Sequence, residues 1–168
     1  MDLIVVRHAM AEEREVFAET RESDSLRPLT AKGRKRMRRG AGGLKALVPH
    51  VDLIATSPLV RAHETAEILG HAYHDIDPIE IPELEPGASL ESMLRWLQNQ
   101  RPDATIVIVG HEPSLSMLIS WLTTRSADSF VEFKKGSACL ITFDEGIYAG
   151  GATMQWLLTP AQLRSLKT

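Results

Sequence analysis

Cysteine is nearly absent. Cys139 stands alone, so no internal disulfide framework is possible and a reducing compartment poses no conflict. Its place in the apolar run Ala138–Phe143 predicts a buried, inert thiol. A surplus of positive charge is also missing. The net charge of -3 argues against a nucleic-acid binder, whose domain would ordinarily be basic. Long hydrophobic runs are lacking as well. Leu3–Val6 is too short for the apolar stretch of a signal peptide, and no segment approaches the roughly 18 residues of a membrane span. A cytoplasmic protein that binds no membrane is therefore expected. Repeats, low-complexity tracts and convincing linkers are absent, so the 168 residues are read as one domain, 1–168. No glycine-rich nucleotide loop is present either, because Gly40, Gly42 and Gly43 fall in or near a helix rather than after a strand.

What is present alternates. Apolar runs bounded by breakers predict strands at Leu3–Val6, Leu53–Thr56, Thr105–Val109, Ala138–Phe143 and Met154–Leu158, with a weaker extended segment at Ile76–Ile81. Between them the spacing predicts helices: from Thr30 to Leu47, from Ser57-Pro58 to about Leu69, from Ser89 to Leu97, and from Ser114 to Leu122. Strands alternating with helices imply an α/β fold, a three-layer α/β/α sandwich with a mostly parallel central sheet. The runs Leu3–Val6 and Thr105–Val109 suit strands covered on both faces. The acid-rich stretch Ala9–Pro28 reads as a solvated loop with room for one helical turn.

Three predicted strands end in groups able to handle phosphate. The first runs into Arg7-His8, the second into Ser57-Pro58 with Arg61 one turn into its helix, and the third into Gly110-His111. Open α/β sheets bind ligands beyond the carboxyl ends of their strands. If these strands are parallel neighbours, Arg7, His8, Arg61 and His111 converge. Arg7 and His8 are adjacent, so both reach one site only where the strand is already turning out of the sheet.

These residues resemble the histidine phosphatase superfamily, the phosphoglycerate mutase-like fold. The likeness follows the chain in order: Arg7-His8-Ala9, Leu29-Thr30-Ala31-Lys32-Gly33, Ser57 through Ala66, and Gly110-His111. Length and the segment Pro82–Pro86 look most like the SixA-type phosphohistidine phosphatase branch. The usual Arg-His-Gly here reads Arg7-His8-Ala9, and a usual glutamine is Glu64. The resemblance implies that His8 is the nucleophile, forming a phosphohistidine that water resolves. Arg7 and Arg61 would bind the phosphoryl oxygens bidentately, and His111, if protonated, would add a third positive charge. Glu83 is the best match for the acid that protonates the leaving group, with Glu85 next; a phosphoramidate leaving group needs less help, so the role could be vacant. No cofactor or metal is implied, and inorganic phosphate is the product.

The expected substrate is a phosphorylated protein, because the connections at the strand ends are brief and leave little wall to enclose a small molecule. Ala9–Pro28 is the one connection long enough to supply such a wall, and Ile81–Ser89 the one available as a lid. A small-molecule phosphomonoesterase of the same fold is the alternative, and from a different class, a non-catalytic phosphate-recognising domain. The basic run Lys32, Arg34, Lys35, Arg36, Arg38 and Arg39 reads as a solvated helix face, with docking of an acidic partner as the other possibility. His71 and His74 with Asp75 and Asp77 read as surface polarity rather than a metal site.

Overall fold

A computed structural model of the protein describes residues 1–166. Six strands form one sheet: β1 (Asp2–Arg7), β2 (Leu53–Thr56), β3 (Ile79–Glu80), β4 (Thr105–Gly110), β5 (Ala138–Phe143) and β6 (Ala152–Leu158). Their order across the sheet is β3-β2-β4-β1-β5-β6. The first four of these neighbours pair in parallel, whereas β5 and β6 run antiparallel at the far edge. The sheet is thus mostly parallel, as alternation predicts, with an antiparallel edge that alternation does not reveal. Parallel strands need a crossover helix, whereas β5 and β6 are joined by the short connection Asp144–Gly151.

Side chains of β1 and β4 alternate between the two faces. Leu3, Val5, Ile106 and Ile108 pack on one side with α4 (Leu90–Gln98) and α5 (Ser114–Thr124). Ile4, Val6, Val107 and Val109 pack on the other with α2 (Ala31–Leu47), α3 (Val60–Ala72) and α6 (Pro160–Ser165). All of these strand residues are fully buried. Each such aliphatic side chain is worth roughly 1.5–3 kcal/mol on burial. A slip of one residue would exchange every face, so the register Arg7 opposite Gly110 and Thr56 opposite Val109 is strongly held. That register puts the ends of β1, β2 and β4 side by side.

Local signals explain most boundaries. Thr30 caps α2 by accepting from the Gly33 N–H at 2.9 Å, and Ser89 caps α4 through Ser92. The expected start at Ser57-Pro58 is corrected: α3 begins at Val60, because the Ser57 hydroxyl is occupied by Leu59 N–H (3.3 Å) and by His111 (2.9 Å). One helix stands outside the expected set, α6, whose Thr159 and Gln162 form a reciprocal capping box. The short α1 (Arg14–Ala18) is the helical turn allowed for within the stretch Ala9–Pro28. Cys139 is buried, and burial pushes its thiol up to about 12. Among the described residues no helix is long and apolar enough to cross a membrane.

Candidate active site

His8 is the first residue beyond β1. Its N–H still reaches the Gly110 carbonyl (3.1 Å), while the Gly136 N–H bridges the Arg7 and His8 carbonyls, so the chain is leaving the sheet at this point. The turn lets the adjacent side chains of Arg7 and His8 share one cleft. Two contacts then fix the loop. The Ala9 N–H donates to Thr65 Oγ1 (3.0 Å), and that hydroxyl donates to the Arg61 carbonyl one turn back on α3 (2.7 Å). On the other side Gly33 abuts the loop so closely that a Cβ there would lie 2.0 Å from the Met10 carbonyl oxygen.

The His8 ring is buried, with Nδ1 2.8 Å from the Ala9 carbonyl oxygen. A carbonyl only accepts, so Nδ1 carries the proton and Nε2 keeps its lone pair. Burial, and after it the nearby positive groups, depress the imidazolium of His8 to about 3, although the Ala9 carbonyl works the other way. The ring is therefore neutral at pH 7.

His111 follows β4 directly, and its ring centre lies 5.2 Å from that of His8. Nε2 is 2.9 Å from Ser57 Oγ, and Nδ1 is buried with no partner. Burial, then Arg61 and Arg7, push its pKa down to about 4. Burial thus disfavours the protonated form on which a third positive charge would depend, and the neutral ring is left as a hydrogen-bonding group.

The two arginines are held by backbone. Arg7 donates to the Phe133 carbonyl (2.7 Å) and Arg61 to the Asp24 carbonyl (2.9 Å). Each keeps a buried Nε without a partner. Buried cationic donors left unpaired are costly unless an anion completes them. Together with His8 and His111 they border a cleft of about 290 Å³, into which Arg14, Arg27 and Lys135 also face. A tetrahedral oxyanion is the ligand that such a set of donors fits.

Several of these residues were not expected. Arg27 is buried, donating to Asp24 (2.8 Å) and to the Glu12 carbonyl (2.7 Å). The Asp24 carboxylate also lies 3.2 Å from Arg61, so the stretch read as a solvated loop is clamped over the site. Nothing in the local sequence marks a contact across 37 residues. Lys135 precedes β5, and only the antiparallel direction of that strand brings its start beside the end of β1. Glu112 also faces the cleft, with its carboxylate capping α5 through the Ser116 N–H (2.9 Å).

Glu83 does not border this cleft. It lies half-buried in the turn Pro82–Leu84, in a small recess that also touches His111. Glu85 is exposed and lines neither space. Glu64, the departure from the family pattern, accepts from the Leu29 N–H (2.7 Å) and pairs with Arg34, securing the start of α2 outside the cleft. His71 pairs with Asp75 (2.9 Å) while His74 contacts Lys45 (3.3 Å), so the two histidines engage different partners. Among the described residues, no three histidine, cysteine or acidic side chains are grouped to hold a metal.

The family model of the histidine phosphatase superfamily (branch 1) matches residues 3–85. An uncharacterized protein of Picosynechococcus sp. is 36% identical over 157 residues, which span 92% of this chain and 89% of that one. The phosphohistidine phosphatase SixA of Escherichia coli is 27% identical, with 99% of both chains covered. The chain belongs to the histidine phosphatase superfamily. Within it the chain is SixA-like: the structure of the protein histidine phosphatase SixA complexed with tungstate matches it with a TM-score of 0.82 and 26% identity, over 97% of this chain and 99% of that one. The fold is shared by small-molecule phosphatases too. An alpha-ribazole phosphatase of Shigella flexneri gives a TM-score of 0.74 at 20% identity, over 95% of this chain and 97% of that one.

Proposed function

We propose that this protein is a phosphatase that uses His8 as its nucleophile and phosphohistidine in proteins as its substrate. The observation that carries the reading is the tautomer of His8, with Nδ1–H tied to the Ala9 carbonyl and Nε2 free among unsatisfied arginine donors. The Nε2 lone pair attacks phosphorus, a P–N bond forms, and the bond to the leaving group breaks. Water then attacks the phosphohistidine, giving inorganic phosphate and restoring His8. Arg7 and Arg61 hold the equatorial oxygens throughout, and His111 Nδ1 is a further donor for them. Guanidinium charge fills the role a metal often takes in phosphoryl transfer, so turnover is expected to persist in excess chelator. Glu83, whose recess shares His111 with the cleft, is the proposed proton donor for ester leaving groups.

The preference for a protein substrate is supported by the likeness to SixA along the full chain and by a cleft that opens at the surface. The clamped segment around Asp24 and Arg27 favours a second reading, because it supplies one wall of a small-molecule site. A common assay tests both readings. His8→Ala should abolish turnover of an aryl phosphate, and quenched wild type should carry acid-labile, base-stable phosphate on His8; label on another residue overturns the mechanism. Comparison of kcat/KM for a phosphohistidine protein against sugar and nucleotide phosphates tests the substrate. A small ester preferred by more than tenfold, about 1.4 kcal/mol, refutes the protein reading.

A further inference from the structure

Beside the catalytic cleft lies a second depression of about 280 Å³. Its floor is apolar, made by Met10, Met37 and Pro160 together with bare backbone at Gly33, Gly40 and Gly136. Cations surround it: Arg36 from α2, Arg164 from α6, and Lys134 and Lys135 from the turn before β5. Lys135 borders both depressions, and the groove begins at Ala9, the residue after His8. Among the described residues, no acidic group lies within 4.0 Å of Arg36, Lys135 or Arg164, and Lys134 meets only the exposed Glu132 at 3.4 Å. The concentration runs against the composition, since acids outnumber basic residues 22 to 19 in the chain. Burial, and after it the neighbouring Arg36 and Arg39, push the pKa of Arg164 down.

We propose that this groove docks an acidic segment of the phosphoprotein substrate, one that carries apolar side chains among its carboxylates and lies next to the phosphorylated residue. The inference rests on the protein-substrate reading above and extends it. The charge of the rim selects carboxylates, the apolar floor takes aliphatic side chains between them, and Lys135, which borders both depressions, sets them side by side. Unpaired exposed cations of this kind act mainly on encounter and on salt dependence. Substrate held there would reach His8 without a long insertion to enclose it.

Two synthetic phosphohistidine peptides test the proposal, one with glutamates and leucines beside the phosphohistidine and one with glutamines replacing the glutamates. Wild type should favour the acidic peptide by tenfold or more in kcat/KM, with the advantage shrinking as salt rises. The variant Arg36→Glu/Ala161→Glu changes two exposed positions of the groove wall, neither of which borders the catalytic cleft. It should bring the ratio near one while leaving aryl phosphate turnover within twofold. Equal turnover of both peptides by wild type overturns the docking groove and leaves the substrate class standing. Hydrolysis of aryl phosphate but of neither peptide overturns both. Retention of a single-stranded oligonucleotide by wild type but not by the variant would reassign the groove to a nucleic-acid backbone and overturn the acidic-segment proposal.

Discussion

The cleft and the groove beside it are both cationic, yet they are built in opposite ways. In the cleft Arg7 and Arg61 are partly or fully withdrawn from water and tethered to carbonyl oxygens, and Arg61 has Asp24 as a counter-ion. In the groove Arg36, Lys134 and Lys135 are exposed, and among the described residues neither Arg36 nor Lys135 has an acidic partner. Rigid, desolvated charge acts at short range on a transferring group, because the donors are already in place and water does not screen them. Exposed charge is screened within about 8–10 Å at ordinary ionic strength, and it serves recruitment better than chemistry. On the reading proposed here, the same residue type would do two jobs according to burial.

The contrast breaks first at Arg61. Arg61→Ala should reduce kcat/KM by about 3–4 kcal/mol of transition-state stabilisation, by analogy with a lost oxyanion donor, on protein and small substrates alike. Arg61→Lys should recover only part, since an ammonium cannot form the planar fork. Full activity in Arg61→Lys would mean that the fork geometry contributes nothing, and the cleft would then differ from the groove only in position.

Next comes acid. His8 and His111 ionise at about 3 and about 4 in the folded protein, against roughly 6.5 when unfolded. Below the unfolded value the unfolded chain takes up protons that the native state refuses. Their stabilising contribution is complete above pH 6.5 and declines as pH falls toward 4 and then 3, by on the order of 2 kcal/mol per histidine at pH 5. Urea melts at pH 7 and pH 5 measure this, and the His8→Ala/His111→Ala variant should show the shallower dependence. Imidazole NMR of the unliganded protein should find no titration of either ring between pH 8 and pH 5.5.

Smaller effects sharpen the picture. Asp24 occupies the guanidinium that a phosphate needs, so Asp24→Asn should lower the inhibition constant of inorganic phosphate by about twofold to fivefold, the range expected of a partly exposed ion pair. A weaker grip on phosphate in that variant would show that Asp24 chiefly orients Arg61. Smallest is Glu83→Gln on phosphohistidine, where a change within about threefold is expected, against a larger loss on an alkyl phosphate. Comparable losses on both would give Glu83 a part in every turnover.

Much of this was legible from sequence because burial writes itself into local pattern. Leu3–Val6 and Thr105–Val109 are apolar at every position except their edges, so two central strands and the polar groups at their ends could be read directly. Thr30 and Ser89 marked true helix starts through their own hydroxyls. Ser57 misled, because a tertiary partner, His111, takes its hydroxyl. The antiparallel edge, the clamp of Asp24 on Arg61 and the convergence of Lys135 depend on contacts far apart in sequence, which no local periodicity encodes. The box Thr159-Pro160-Ala161-Gln162 was a readable helix start that composition alone did not bring forward.

Gly33 leaves no room between α2 and the loop that carries His8, and Thr65 ties the same loop to α3. The placement of His8 is therefore borne by two long helices leaning on the sheet. On heating, such a site should not soften ahead of the molecule: loss of activity and loss of the helical signal should fall at one temperature. A methyl group added at position 33 would have to push the loop or the helix away, and the two curves would then separate.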